Sequence, residues 1–473
     1  MYKGFDMEKW NFSHYLLGGL LLGMSPVYAA SPNLTLDISG FLSVGISTTT
    51  AVDVDFFDPI TKAKTSTVPT IEQVGQTPIF QRDTAGGMKF SANFNDNFIF
   101  ALQLLSQGEL NYEVVTDLLY AEWRIDEIWD LRVGRVRLPF NLFSEYYEIA
   151  YTYLWNKPPA EVYGIHQFTD FEGVELVYRN DLAYGWKTED SLSVGNTSLL
   201  FQLAGDYVPL SFDRAIITNF SLSNEILKLN AGYAVGATNI ASGTELTVIQ
   251  QGLENPCALF NPLIYGEINL AGGPSLGTCS MTILSPAPVP AGYNIAKPDL
   301  GTAHLFTVKN VNTQMLTFGY EFNWEHFISI AEWMSTIAHD MFIPDSQGWY
   351  VLLGYNWDGL TPYVMYADYR TLNNDERVLK NTISGTFVNP YSYYGPPPIP
   401  FAQTFEDSIN EFLALSNVAQ STIEAGIRYD ILPATALKFE YRYVIPREGT
   451  AGFFTYNPGK RVSWVTAAIN VVF

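Results

Sequence analysis

The sequence predicts an all-β protein, a transmembrane antiparallel β-barrel of about sixteen strands. Composition is the first reason, because only 16% of the 473 residues are charged and 15% are aromatic, whereas soluble domains average about 25% charged residues. Second, no uninterrupted apolar stretch reaches the roughly 18 residues that a membrane-spanning helix needs. Third, apolar and polar residues alternate with a period of two in many short segments, as in strands that separate two environments.

The charge balance narrows the possible partners. The chain carries 26 Lys and Arg against 48 Asp and Glu, a formal net charge of −22. Because such a chain repels phosphates, nucleic acid is not an expected partner. A hydrophobic content of 47% can bury ample surface, which excludes a disordered chain.

The N-terminus predicts export. An apolar core runs from Tyr15 to Met24, and the small residues Val27 and Ala29 stand at positions −3 and −1 of a signal-peptidase site. About ten apolar residues are too few for a membrane anchor. We therefore expect a signal peptide over 1–29, followed by a single barrel domain over 30–473.

Sixteen segments carry the strand pattern. In one of them, Leu316, Phe318 and Tyr320 alternate with polar neighbours. Lengths near ten residues suit a tilted strand that crosses an apolar band of about 25 Å. The predicted strands are 34–47, 86–95, 98–107, 117–126, 130–137, 172–180, 198–208, 213–222, 226–236, 313–324, 327–337, 348–357, 361–370, 422–430, 436–444 and 462–473.

Short and long connections mostly alternate between these strands, which predicts periplasmic turns and long extracellular loops. The long segments are 48–85, 138–171, 237–312, 371–421 and 445–461. Two connections break the alternation, because 181–197 is long for a turn and 209–212 is short for a loop.

A soluble β-sandwich also alternates, and three features weigh against it. Aromatic residues at strand ends suggest an interfacial belt, namely Trp324, Trp349, Trp357, Tyr363 and Tyr369. A dry core could not easily bury the charges that occur within strands, which are Glu321, Glu332, Asp368, Arg370, Glu424 and Arg428. The terminal Phe473 resembles the signal that outer-membrane barrels present to the barrel-assembly machinery.

One segment carries a family resemblance. The motif Gly134-Arg-Val-Arg-Leu-Pro-Phe140, followed by Trp155-x-x-Pro-Pro-x-Glu-Val-Tyr163, resembles a porin-like outer-membrane family of gammaproteobacteria within the sixteen-stranded porin superfamily. The resemblance implies a homotrimer in the Gram-negative outer membrane, with a water-filled channel for passive diffusion of small hydrophilic solutes and ions. It also implies that the third long loop, 138–171, folds inward as the constriction, while 237–312 stays extracellular.

Charged residues around that loop are the candidate pore residues. The acidic candidates are Glu145, Glu148, Glu161 and Asp170, and the basic wall candidates are Arg132, Arg135 and Arg137. Strict alternation cannot place the arginines, because Val133 shares the parity of Arg135 and Arg137. Anchoring of the loop by ion pairs is the alternative role. The acidic excess predicts a preference for cations.

Other functions remain open. An outer-membrane hydrolase would need a His-containing constellation, and the candidates outside the signal peptide and turns are His166, His304 and His339, beside Asp340. None lies in a G-x-S-x-G motif. Adhesion through the long loops is the other alternative. Cys257 and Cys279 are candidates for a disulfide that closes a small loop. We expect no cofactor and no metal, and outer-membrane lipid surrounds the predicted barrel.

Overall fold

A computed structural model gives the structure of the protein. It describes residues 34–51, 54–57, 64–67, 74–95, 97–164, 168–203, 206–240, 308–339, 341–373, 410, 413, 416–454, 458 and 461–473. The predicted signal peptide 1–29, both cysteines (Cys257 and Cys279), His166, His304 and Asp340 lie outside the described residues, as does most of the segment 237–312.

The described residues form eighteen strands. They are β1 (Leu34–Thr49), β2 (Val54–Phe57), β3 (Lys64–Thr67), β4 (Ala85–Phe94), β5 (Phe98–Gln107), β6 (Val114–Arg124), β7 (Trp129–Arg137), β8 (Asp170–Asp181), β9 (Lys187–Leu203), β10 (Asp206–Ser223), β11 (Leu227–Ile240), β12 (Val311–Trp324), β13 (Phe327–Ile337), β14 (Ser346–Tyr355), β15 (Leu360–Thr371), β16 (Ala419–Leu432), β17 (Thr435–Pro446) and β18 (Val462–Val472). Short 3-10 turns cover Gly108–Leu110, Ser144–Tyr146, Ala150–Thr152 and Ala183–Gly185, and one helical turn, α1, covers Ala160–Tyr163.

Sixteen of these strands close into an antiparallel barrel, which confirms the predicted fold class. Each barrel strand pairs with its neighbours in chain order, and β2 pairs only with β3 as a separate hairpin. The seam joins β1 to β18, where the Gly40 amide donates to the Phe473 carbonyl at 2.8 Å and the Phe473 amide donates back at 3.0 Å. Closure satisfies the backbone groups that an open sheet would leave at its edges.

The two faces of the wall meet different surroundings. Outward side chains are apolar and exposed, for example Phe318 (50%) and Phe439 (53%). Inward side chains include the buried polar residues Glu332, Glu440 and Asn470. A sandwich would bury the apolar face instead. Apolar exteriors with aromatic residues near both ends of the strands characterise barrels that cross the Gram-negative outer membrane, and the protein is such a barrel.

Among the described residues, none of the helices has the length and apolarity that a bilayer crossing requires.

The predicted boundaries were wrong in one hairpin. The prediction placed strands at 198–208 and 213–222, whereas β9 and β10 extend over 187–203 and 206–223. The turn before β9 therefore covers 182–186. The first half of β9 is rich in polar residues, from Lys187 to Ser191. Without alternating apolar residues, that half gave no strand signal.

The predicted faces were wrong in β15. Tyr363 and Tyr369, expected in the interfacial belt, point into the lumen and are each 3% exposed. Asp368 and Arg370, expected inside, point outward near the extracellular end. Alternation is weak in this strand because its inner face also contacts apolar groups, which belong to the loop between β7 and β8.

Candidate functional site

The loop over 138–169 folds into the barrel and lies against the inner wall. Its first contacts are with polar side chains of β10, β11 and β12. Asn219 donates to the Pro139 carbonyl, and the Phe140 carbonyl accepts from Asn230 Nδ2 at 3.2 Å and from Thr317 Oγ1 at 3.0 Å. The wall residues therefore satisfy backbone groups that a proline-containing segment cannot pair in a ladder.

One buried carboxylate on β13 holds two distant parts of the loop. Glu332 accepts from the Leu142 amide at 2.8 Å and from the Tyr163 hydroxyl at 2.6 Å. Tyr350, on β14, donates to the same carboxylate at 3.1 Å. The entering and leaving segments of the loop are thus bound to a single side chain that is 2% exposed.

Two cations of β16 and β17 bind the middle of the loop through its carbonyl groups. Lys438, on β17, donates to Ala150 O and, at 2.6 Å, to Trp155 O. Arg428, on β16, donates to Tyr151 O at 2.6 Å and to Tyr153 O at 3.0 Å. Because a buried cation needs partners, these contacts stabilise both the loop and the charges.

The returning segment of the loop is seated on β14, β16 and β17. The Asn156 amide donates to Glu440, and Arg442 donates to the Lys157 carbonyl at 3.2 Å. Glu161, in α1, accepts from Gln420 at 2.9 Å and from Thr422. This candidate pore residue is 3% exposed, so it contacts the wall and not the open lumen.

Aromatic packing fills the space between the loop and this part of the wall. Trp155 is fully buried, with its ring centre 5.5 Å from that of Phe143 and 5.6 Å from that of Tyr350. Buried aromatic pairs contribute about 0.5–1.5 kcal/mol each beyond the burial of their area. One side of the lumen is therefore a packed core, into which the inward residues Met315 and Met334 also extend.

The inner wall from β4 to β7 keeps a polar, partly accessible surface. The Arg132 side chain is 18% exposed and forms ion pairs with Glu122 at 2.9 Å and Glu175 at 3.0 Å. Lys89 and Tyr120 line the same wall and are partly buried, with 3.5 Å between the Lys89 amine and the Tyr120 hydroxyl. On the side of the wall that the loop covers, in contrast, the charged side chains are either only 1–9% exposed or hydrogen-bonded to the loop.

Arg135 and Arg137 lie where the loop leaves and rejoins the barrel. Arg135 pairs with Asp170 at 2.8 Å, and Arg137 pairs with Asp117 at 2.5 Å. Arg137 also donates to the Thr169 carbonyl at 3.5 Å. Of the three arginines only Arg132 has the inward parity, and the other two bind residues where the loop rejoins the barrel and Asp117 on β6. The structure therefore brings Asp170 together with Arg135 and places Glu161 far along the loop.

The loop acids Glu145 and Glu148 are partly buried. The pKa values of Glu148 itself and of two nearby loop residues, Tyr146 and Lys157, are raised. Burial raises the pKa of Glu148 to about 7, although Arg137 opposes the shift. The negative charge of Glu145, together with burial, raises the pKa of Tyr146. Burial opposes protonation of Lys157, but its ion pair with Glu109 at 2.5 Å leaves its pKa raised.

Comparison with known proteins gives a likeness of fold. No protein-family model and no curated protein matches the chain. Among solved structures, the OmpF protein of Salmonella typhi, in complex with daunomycin, is 12% identical, with a TM-score of 0.49, and the alignment covers 93% of this chain and 97% of that one. The outer-membrane channel DcaP of Acinetobacter baumannii is 9% identical, with the same TM-score and the same coverages. An anion-selective porin from Comamonas acidovorans is 9% identical over 93% and 100% of the two chains, with a TM-score of 0.47. Likeness at this level concerns the fold alone.

Sequence reasoning noted Glu332 and Arg428 only as charges within strands and missed the other wall residues that hold the loop. Lys438, Glu440 and Arg442 occupy three successive inward positions of β17, and this run of charges was the available signal. His339 pairs with Asp345 at 2.9 Å. Within the described parts of the chain, no group of three His, Cys, Asp or Glu residues is arranged to hold a metal ion.

Proposed function

We propose that the protein is an outer-membrane porin, a water-filled channel for passive diffusion of small hydrophilic solutes and ions. The observation that carries this proposal is the one-sided packing of the loop 138–169. The loop covers the wall from β10 to β17, whereas Lys89, Tyr120 and Arg132 on the other wall stay partly accessible. A sixteen-stranded barrel is wide enough to leave an aqueous passage beside such a loop.

We also propose a preference for cations, set where the loop faces this open wall. Several wall cations do not face the passage, because Lys438, Arg428 and Arg442 bind loop carbonyls. Arg132 is matched by the two carboxylates of Glu122 and Glu175. The loop acids Glu145 and Glu148 then leave an excess of negative charge, which favours cations in a low-dielectric constriction.

Liposome swelling tests the channel itself. Proteoliposomes should swell in small neutral sugars, with rates that fall as the sugar grows. Empty liposomes and liposomes with heat-denatured protein are the controls. Folded barrels that give no swelling would refute the channel, and a reversal potential towards chloride under a KCl gradient would refute only the cation preference.

The homotrimer is proposed on the shape of the outer surface. A shallow apolar depression of about 530 Å³ on the outside of β1 and β4–β7 is lined by Leu36, Ile38, Phe100, Leu119 and Val133, among others. The apolar outer face of strands in a neighbouring copy would fill this depression, so that apolar side chains of both copies pack together. Native mass spectrometry in mild detergent should show three copies. A monomer at all concentrations would contradict the proposal.

A further inference from the structure

One aromatic ring of the inward loop is open to the lumen. Several large rings of this loop are buried, because Phe143, Tyr153, Trp155 and Tyr163 are 0–7% exposed. Tyr146, in contrast, is 44% exposed. Its ring is therefore available to a solute that enters the barrel.

The local backbone turns Tyr146 away from the wall that the loop covers. Ser144 and Tyr147 line the small cavity between the loop and strands β10–β13. The ring of Tyr147 also stacks on that of Tyr163, with 6.0 Å between the ring centres. Side chains at positions i and i+3 of a 3-10 turn point to the same side, so Ser144 and Tyr147 share one face and Tyr146 points to another.

The wall that Tyr146 faces belongs to β8 and β9. The negative charge of Glu145, together with burial, raises the pKa of Tyr146, and the charge of Glu189, on β9, adds to the effect. The charges of Glu145 and Glu175, on β8, also interact. Two adjacent residues of the loop thus face two adjacent strands across the lumen.

Accessible hydrogen-bonding groups lie on this part of the wall. Arg179, on β8, donates to Glu189 through Nε at 3.1 Å and through Nη2 at 3.4 Å, and it also pairs with Asp130, on β7. The side chains of Arg179 and Glu189 are 35% and 45% exposed. Their parity is inward, because Glu189 shares it with Ser193, which donates to Glu175 at 3.5 Å inside the barrel. The pair therefore presents both donors and acceptors to the lumen, in positions that the ion pair fixes.

An aromatic face beside paired donors and acceptors suits a sugar. The face of an aromatic ring carries negative charge and attracts the weakly positive C–H groups of a pyranose. Sugar hydroxyls can accept from Arg179 and donate to Glu189, and hydrogen bonds to charged groups are the stronger ones. A small inorganic cation would gain from the carboxylate, but the adjacent guanidinium would repel it.

We propose that Tyr146, Arg179 and Glu189 form a subsite in the lumen for the pyranose rings of neutral sugars, with Tyr146 as the stacking platform. We call these three residues the tyrosine subsite. The inference rests on the proposed channel, through which the sugar reaches the subsite.

Saturation-transfer NMR on the folded full chain in detergent measures sugar binding without requiring conduction, and maltotriose is the probe. Tyr146→Ala should weaken binding about fivefold, which corresponds to the loss of one aromatic contact. Tyr146→Phe keeps the ring and should bind as the wild type does. Tyr184→Ala is the matched control and should also bind normally, because Tyr184 is 98% exposed in the turn between β8 and β9.

Glu189→Gln tests the polar half of the subsite. The amide accepts a weaker hydrogen bond than the carboxylate, so maltotriose binding should weaken about threefold. Glu172→Gln is its control, because Glu172 pairs with Arg135 at 3.4 Å on the outer face of the barrel. This control should bind as the wild type does.

The outcomes separate the sugar from other ligands and the subsite from the channel. Equal binding by the wild type and Tyr146→Ala would overturn the proposal, as would equally strong binding of sorbitol, which has hydroxyls but no pyranose ring. Free arginine that displaces maltotriose at a lower concentration than maltotriose itself requires would show an organic-cation site and overturn the sugar assignment.

Electrical recording distinguishes failure of the subsite from failure of the channel. A barrel that passes a KCl current but binds no maltotriose would overturn the subsite and leave the channel intact. A barrel that binds maltotriose and passes no current would support the subsite and refute the channel alone. Unheated gel migration reports the folded barrel in each variant.

Discussion

Glu148 is the residue at which the charge of the proposed constriction should depend on pH near neutrality. Its pKa is raised to about 7, so the carboxyl is mostly charged at pH 8 and mostly neutral at pH 6. Cation preference should therefore weaken as the pH falls through 7. A unit charge about 5 Å from an ion in water contributes about 0.8 kcal/mol, which corresponds to roughly a three- to fourfold change in permeability ratio.

Glu148→Gln tests this prediction through reversal potentials measured at pH 6 and pH 8. The variant should lose about threefold in cation preference at pH 8 and should show no pH dependence across that interval. Glu161→Gln is the matched control, because Glu161 contacts Gln420 and Thr422 and not the open lumen. Selectivity in Glu148→Gln that still changes with pH as in the wild type would place the titrating group elsewhere.

Lys438 is the residue whose removal should free the loop. Lys438→Met keeps the length of the side chain but leaves the Ala150 and Trp155 carbonyls without their donor. Each unsatisfied buried group costs about 1–3 kcal/mol, so the loop should detach part of the time. Single-channel recordings should show larger and noisier currents.

Lys89→Met is the control for Lys438→Met. Lys89 lies beside Tyr120 on the accessible wall and has no hydrogen bond to the loop among the described contacts. Its currents should remain steady. Steady currents in Lys438→Met as well would mean that the remaining contacts hold the loop without the lysine.

At the residue scale, the sequence identified charged residues near the loop more reliably than it predicted their contacts. It singled out Arg135 and Arg137, but parity could not place them, because both lie at the end of β7 where alternation stops. In the structure they contact Asp170, at the start of β8, and Asp117, on β6. The position of Glu161 depends on contacts with Gln420 and Thr422, about 260 residues away, which no local pattern encodes.

At the scale of elements, the seat of α1 depends on a close approach of two backbones. A Cβ atom at Gly348 of β14 would lie 1.8 Å from the Glu161 carbonyl oxygen. Gly348→Ala should therefore displace α1 and alter the constriction, at about 1–3 kcal/mol of overpacking. Unitary conductance and the thermal unfolding temperature report the two effects.

Gly354→Ala, on the same inward face of β14, is the control for this substitution. The added Cβ there would lie 3.3 Å from Leu154 Cδ1, the end of a side chain that can move, and at ordinary contact distances of 3.5 Å from Pro362 O and Tyr363 Cβ. Its conductance should match that of the wild type. If Gly348→Ala conducts in the same way, the loop is not seated as described.

Strands were predicted accurately where polar residues on the inner face alternate with apolar residues on the lipid face. In β12, for example, exposed Phe318 alternates with buried Thr317, and the prediction was accurate. In β15 both faces are apolar because Tyr363 and Met365 pack against the loop, so parity gave the wrong inner face. The alternation of apolar and polar residues in a strand therefore depends on what packs against each face, including a loop that is distant in the sequence.

At the scale of the whole molecule, the closed barrel follows from the absence of water in the hydrocarbon region. Backbone groups there need partners, and the pairing of Phe41 with Val472 at the β1–β18 seam supplies the last of them. The number of strands could be predicted because each crossing repeats the same two-sided pattern. The path of the loop could not, since it depends on single charged residues of distant strands, such as Glu332 and Lys438.

Single-channel recording in a planar bilayer tests most directly whether the space beside the loop conducts. Folded wild-type protein, identified by its unheated gel migration, should insert and give steady ohmic steps in KCl. A folded barrel that inserts and yet carries no current would mean that the loop seals the lumen.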